Sequence, residues 1–259
     1  MTRAIDMHVN PVWEASADGL TSLAGAAVDS ACQRYVAPLR AQGVERAVMV
    51  ILSDAAIDAL PAPAPSWVYA LAVDFRRDDA GERLEQARSR GVAALKFHPY
   101  LQQIVREDYD RAAALARHAE HLGMFVMVCG SYGTRALERH DGVRLAARLA
   151  GEVRCPIVLS HGGGRQVLDA MLVAADAPQL LLETSFSVPY YEGSSIETDF
   201  AFAMRKLGPA RWMYGSDAPF VPLERAAAHM RTFFERHRFA ETDIDQIMYG
   251  TAAALLHGR

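Results

Sequence analysis

Pro156-Ile157-Val158-Leu159-Ser160-His161-Gly162-Gly163-Gly164 is a strand-sized apolar run that stops on a serine, a histidine and three glycines. A run this short, apolar at consecutive positions, reads as a strand buried on both faces, which is the habit of parallel sheets covered by helices. The pattern recurs along the chain. Similar runs rich in Val, Ile and Leu lie at Ala4–Val9, Arg46–Leu52, Trp67–Asp74, Val92–Phe97, Met124–Cys129, Gln179–Thr184 and Arg211–Ser216; with Pro156–Ser160 they make eight. Between them stand Ala/Arg/Leu-rich amphipathic stretches at Ala26–Gln42, Asp79–Arg90, Asp108–Leu122, Gly142–Ala150, Arg165–Asp176, Glu197–Leu207 and Leu223–Arg238. Asp108 and Pro222 supply helix-entry chemistry, and Gly43, Gly91 and Gly123 fall where a helix must end before the next strand. Ser53–Ser66 carries three prolines and reads as a surface loop. Eight strands separated by helices predict a single α/β domain over residues 1–259, a (β/α)8 TIM barrel. A further helix at about 241–257 is expected to close one end.

Composition narrows the function class. The 259 residues are 51% hydrophobic and 22% charged, enough for a large core, and the formal charge is −4. No basic stripe is present, so nucleic acid is not expected as a partner. The apolar runs are far too short to cross a bilayer, and Met1-Thr2-Arg3 leads straight into a strand without a signal-peptide core. Cys32, Cys129 and Cys155 are odd in number and widely spaced, which argues against a disulfide framework and for a reducing, cytoplasmic setting. A small-molecule substrate and a homodimer are the partners this reading allows.

Barrel enzymes place their chemistry at the carboxyl ends of the strands, so the residues that end each run carry the functional argument. Strand one ends in His8 and Asn10, strand four in Lys96-Phe97-His98-Pro99, and strand five in Cys129-Gly130. Strand six ends in Ser160-His161 and strand eight in Gly215-Ser216-Asp217-Ala218-Pro219. Each residue alone has a bland reading, a hydrogen-bonded structural histidine or a turn aspartate. As a set, His8, His161 and Asp217 are titratable groups gathered where barrel chemistry belongs. His8 and Asn10, two apart on one strand, are expected to face the same side, as are Lys96 and His98. Either Glu183 or Thr184 faces inward, and alternation alone does not choose. Val188-Pro189-Tyr190-Tyr191 reads as a loop over the mouth, with Tyr190 or Tyr191 closing on substrate and Pro11 and Trp13 opposite. Arg165 reads as an exposed helix-start arginine or an anion contact. His118, His121, His140, His229, His237 and His257 lie away from strand ends and read as structural or solvent-facing.

The ordered motifs IDMHVN, GVAALKFHPY, IVLSHGGG, MYGSDAPF and IMYGTAAALL resemble the amidohydrolase superfamily. The similar branch includes aminocarboxymuconate-semialdehyde decarboxylase and the pyrone-dicarboxylate lactonases. That resemblance implies a metal-binding His-x-His on strand one, here His8 and Asn10, and a strand-five histidine where this chain has Cys129. It also implies a strand-six histidine, His161, and a strand-eight aspartate, Asp217. Two of the expected ligand positions are therefore altered.

Two readings of the site stay open at this stage. In one, a divalent ion, zinc by ligand preference, is held by His8, Cys129, His161 and Asp217, since a thiolate can stand in for an imidazole. In the other, the metal is lost; Asp217 works as general base, while His161 and Lys96 polarise a substrate carbonyl or carboxylate. Either way the expected function is hydrolysis of a small carbonyl compound, a carboxylate-bearing lactone, ester or amide. Catalysis falls to Asp217 and His161, and binding to Lys96, His98, Asn10 and Tyr190. Decarboxylation of a small unsaturated acid is the alternative chemistry. A non-catalytic binding barrel with a degenerate metal site is the alternative of another class.

Overall fold

The computed structural model describes residues 3–16, 19–22, 26–131 and 133–257. Eight parallel strands form one sheet in chain order: β1 Ala4–Val9, β2 Val44–Ile51, β3 Trp67–Ala72, β4 Val92–Phe97, β5 Phe125–Cys129, β6 Ile157–Ser160, β7 Leu180–Glu183 and β8 Trp212–Met213. The ends meet. Met7 N–H donates to Tyr214 O at 3.0 Å, Asp217 N–H to His8 O at 2.8 Å and Asn10 N–H to Ala218 O at 2.7 Å, which closes β8 onto β1. The predicted TIM barrel is thus the observed fold.

Helices α1 Ala26–Ala41, α2 Ala80–Ser89, α3 Tyr109–His121, α4 Gly142–Ala150, α5 Val167–Asp176, α6 Ser195–Leu207 and α7 Leu223–Arg236 wrap the sheet. Between β2 and β3 the proline-rich segment forms a 3-10 turn, Asp54–Ala59, in place of a helix. A small antiparallel hairpin, Trp13–Ser16 with Gly19–Ser22, follows β1. The Trp13 side chain, expected near the mouth, lies outside the described residues.

Alternation along each strand divides the core in two. Leu71, Leu95, Phe97, Val126, Val128 and Leu159 face the helices, while Ile5, Met7, Val48, Val50, Ala94, Met127, Val158 and Met213 fill the barrel. The expected closing helix is broken into Glu241–Asp245, a π-helical turn Gln246–Gly250 and Thr251–His257. Ala252, Leu255 and Leu256 pack on the barrel-interior cluster and plug the end where the strands begin. That leaves the carboxyl ends as the open mouth. The eighth strand is shorter than its apolar run predicts, because Tyr214 turns its N–H to Ile247 O in the π turn, at 3.1 Å. None of the described helices is long and apolar enough to cross a membrane.

Candidate active site

Position along the barrel axis sorts the polar residues into two levels. By strand alternation Lys96, Cys129, Ser160 and Glu183 follow Ala94, Met127, Val158 and Leu181 on the inner face and form a buried polar layer above the apolar filling. All four are 1% exposed or less. Lys96 Nζ donates to Ser160 Oγ at 2.9 Å. Burial lowers the Lys96 pKa, while nearby Cys129, Glu183 and Asp217 act on it the other way. Burial pushes the Cys129 thiol up to about 11. Glu183 is raised as well, again by burial. Gly215 makes room for that carboxyl group, because a Cβ there would collide with Glu183 Oε1 and Cδ.

Above this layer stand His8, Asn10, His98, His161 and Asp217, lining a cavity of about 270 Å³ with Leu52, Tyr100, Leu101, Phe186 and Phe220. How His8 comes to face it is instructive. Met7 belongs to the barrel-interior cluster and Val9 to the helix-facing one, although residues two apart on a strand should share a face. The register of β1 on β2 shifts between Asp6 and Val9, an irregularity that reverses the alternation and turns both His8 and Asn10 inward. Asp6 anchors the shift: its Oδ1 accepts the N–H of His8 at 3.0 Å and of Ser216 at 2.9 Å. Burial raises Asp6 to about 7. His161 and Asp217 both sit at positive φ, 63° and 62°, so each strand bends sharply as it delivers its side chain to the cavity.

The hydrogen bonds aim the two imidazoles. His8 Nδ1 faces Glu183 Oε2 and Ser185 Oγ, each at 3.2 Å, and its Nε2 lies 3.5 Å from Asp217 Oδ1. His161 Nδ1 faces the Ser185 carbonyl at 3.1 Å and the Ser185 hydroxyl at 3.0 Å. With Nδ1 engaged on both rings, Nε2 is the nitrogen each ring keeps for the cavity. Asn10 Nδ2 donates to Asp217 Oδ1 at 2.8 Å. One ligand atom from each of His8, His161 and Asp217 falls within 4.8 Å of the others, and all three residues are buried. Burial holds His161 down at about 3 and His8 well below its ordinary value; it raises Asp217 far above the carboxylate range, with Glu183 adding to the rise. Two imidazoles whose burial disfavours the protonated form, beside a carboxyl group, are a donor set that a divalent cation would draw on.

That set fits a divalent ion. Catalytic zinc sites use three protein ligands with one position open, and the ligating histidine characteristically gives its other N–H to a carboxylate or a carbonyl. Here Glu183 and the Ser185 carbonyl occupy those outer places.

Other expected site residues are placed differently. Cys129 is not part of the three-residue group; it lies in the layer beneath, against Lys96. Lys96 and Tyr190 are not among the residues lining the cavity. Lys96 is buried below it, and Tyr190 is 57% exposed and stacks on Phe186 with ring centroids 5.6 Å apart. The inward member of the Glu183/Thr184 pair is Glu183. Ser185, which ties both histidines together, and Asp6 went unrecognised in the sequence; the polar run Glu183-Thr184-Ser185 ending an apolar strand was the only signal for the first. His98 is in the cavity wall, its ring edge-on to Tyr100 and its Nδ1 buried without a hydrogen-bond partner.

An amidohydrolase family model matches residues 5–258. The chain belongs to the amidohydrolase family. No curated protein sequence matches it. Among solved structures it is similar to an uncharacterized TIM-barrel protein from Bordetella bronchiseptica, at 17% identity and a TM-score of 0.75, covering 99% of this chain and 100% of the other. It is also similar to a protein designated 2-pyrone-4,6-dicarboxylic acid hydrolase from Pseudomonas putida, at 16% identity, TM-score 0.68, with 99% and 98% covered. A dihydroxybenzoic acid decarboxylase from Polaromonas sp. JS666, solved with bound manganese and the inhibitor 2-nitroresorcinol, matches at 13% identity, TM-score 0.68, with 100% and 98% covered. At such identities these likenesses speak to the fold. Within this family the chain has hydrolases and decarboxylases alike as neighbours.

Proposed function

We propose that this amidohydrolase is a divalent-metal-assisted hydrolase of a small cyclic carbonyl compound, a lactone or related ester bearing no more than one carboxylate. The observation that carries the reading is the convergence of His8, His161 and Asp217 at the floor of the cavity, with both Nδ1 atoms tied back by Glu183 and Ser185. His8, His161 and Asp217 would hold the ion, which when bound would polarise the substrate carbonyl and lower the pKa of a water. The expected role of Cys129 as a ligand is replaced by that of a buried neighbour of Lys96.

Asp217 takes the proton from the attacking water and delivers it to the leaving alkoxide. Asn10 steadies it by donating to Oδ1, which leaves Oδ2 for the proton. His98 in the wall gives the substrate a polar side to lie against. Size and charge limit what enters. At about 270 Å³ the cavity sits at the small end of ligand sites, which begin near about 300 Å³, so it suits a single ring. Its described lining contains no Lys or Arg, so a second substrate carboxylate would be buried without a countercharge.

A second reading, decarboxylation of a monocyclic aromatic acid, is favoured by the aromatic walls Tyr100, Phe186 and Phe220. In it Asp217 gives its proton to the ring carbon that loses carbon dioxide. The test is a panel of monocyclic lactones and hydroxybenzoates offered to zinc- or manganese-loaded protein, following acid release and carbon dioxide release separately. Acid release abolished by Asp217→Asn supports hydrolysis, and carbon dioxide release supports the second reading. Protein that takes up neither metal would overturn both.

A further inference from the structure

On the face that carries the strand-to-helix loops, and sharing no lining residue with the cavity just described, a cleft of about 630 Å³ opens between the loop before α3, the loop before α4 and the turn before α5. Its lining includes Arg106, Arg139, Arg144, Arg148 and Arg165, a local excess of positive charge on a chain of net charge −4. Two of the five are neutralised within the fold. Arg144 Nε pairs with Asp141 at 3.1 Å, and Arg148 pairs with Asp110 at 2.9 Å and with Glu152. Arg106, Arg139 and Arg165 are exposed, and no ion pair or hydrogen bond engages their side chains among the described residues. Glu138 is the one lining carboxylate left to oppose them, so the cleft keeps two positive charges uncompensated.

Asp141 is committed to the fold a second time, since Gln166 gives its amide N–H to Asp141 Oδ2 at 3.3 Å. Three guanidinium groups ask for a multiply charged anion, because their planar N–H forks match phosphate oxygens in pairs. The volume is greater than a bare phosphate needs and lies within the range of small-molecule sites.

We infer that this cleft is a binding site for a small organic phosphomonoester, distinct from the catalytic cavity. Calorimetric titration of the intact protein with a hexose monophosphate and with inorganic phosphate tests it, using sodium chloride at matched ionic strength as control. Saturable binding with Kd of about 1 mM or tighter is expected for the hexose monophosphate, weaker binding for inorganic phosphate and none for chloride. The double variant Arg106→Gln/Arg139→Gln, at exposed positions, is expected to stay folded by circular dichroism and to weaken the hexose monophosphate about tenfold or more. Arg165→Gln is the second probe should the double variant misfold. The inference is overturned if no saturable binding occurs, if chloride abolishes it at equal ionic strength, or if the arginine variants bind as the unaltered protein does.

Discussion

Glu183→Gln is the substitution that most directly tests how the site is built. The side chain keeps its shape, but the atom now at Oε2 becomes an N–H2 donor facing His8 Nδ1 at 3.2 Å and Ser185 Oγ at 2.8 Å. An amide that retained its oxygen there would instead turn its N–H2 on the Ser185 backbone N–H, which Glu183 Oε1 now accepts. Either way a donor meets a donor. The relief open to His8 is to carry its proton on Nε2 and accept at Nδ1, which removes the lone pair it presents to Asp217 and to any ion beside it. Losing such an outer partner costs about 10- to 100-fold in metal affinity, or about 1.4–2.7 kcal/mol. Ser185 Oγ still touches His8 Nδ1, so the lower end is expected for the single variant, and a larger loss for Glu183→Gln combined with Ser185→Ala. Folding should not suffer in step. Burial raises the Glu183 pKa, so the ionised carboxylate is a net cost to the metal-free fold and the neutral amide removes it. Competition against a chromophoric chelator measures zinc or manganese affinity, and urea unfolding of metal-free protein measures stability. Unchanged affinity in a folded variant would refute the orientation argument, and so would a loss of affinity matched by an equal loss of stability.

Three further outcomes follow from the same geometry. Cys129→Ala is expected to leave metal stoichiometry and affinity unchanged by the same chelator competition, because Cys129 lies in the layer beneath the three-residue group; a tenfold loss would restore it as a ligand. Asp6→Asn tests the buried carboxyl that anchors the β1 irregularity. Its folded pKa of about 7 exceeds the unfolded 3.8, so the folded state holds the extra proton and stability falls as pH rises through that window, by up to about 4 kcal/mol. Urea unfolding of metal-free protein at both ends of the window should show the variant lacking that part of the decline, and an identical pH dependence in the two proteins would sink the assignment. Gly142→Ala would drive a Cβ into the Cys129 carbonyl oxygen and carbon and the Gly130 Cα, all backbone, with nothing flexible to yield. Thermal unfolding should show a loss of more than about 3 kcal/mol, and a variant as stable as the parent would show that α4 can shift on β5 freely.

What the sequence made legible follows from what each residue answers to locally. The eight runs answer to burial on both faces, so β1 through β7 were readable to within a few residues, and so were the strand ends that carry His8, His161 and Asp217. The eighth run looked like six residues of strand, yet the strand is only Trp212–Met213, because the Tyr214 N–H goes to a segment more than thirty residues on. Glu183 could not be separated from Thr184, since their order along the strand is compatible with either face. The inward carboxyl group needs Gly215, just past β8, where a Cβ would collide with it. Tyr190 was the visible aromatic of its loop, but Phe186, held at φ 56° just past β7, is the one that reaches the cavity.

Asn10 and Cys129 looked in the sequence like matching losses from one ancestral ligand set. The layered interior separates them. Asn10 is still in the cavity, where an amide can hold Asp217 by donating a hydrogen bond, something an imidazole committed to a metal could not do through its ligating nitrogen. Cys129 sits a level lower with Lys96, Ser160 and Glu183, in a layer whose one cation and one carboxylate share the low-dielectric interior. A thiol pushed to about 11 adds no charge to that layer at neutral pH. Replacing it by a charged or bulky residue would disturb Lys96 and Glu183, and through Glu183 the tautomer of His8. The two departures therefore serve different ends: one holds the Asp217 carboxyl group in the cavity, and the other keeps a small side chain in the layer beneath His8.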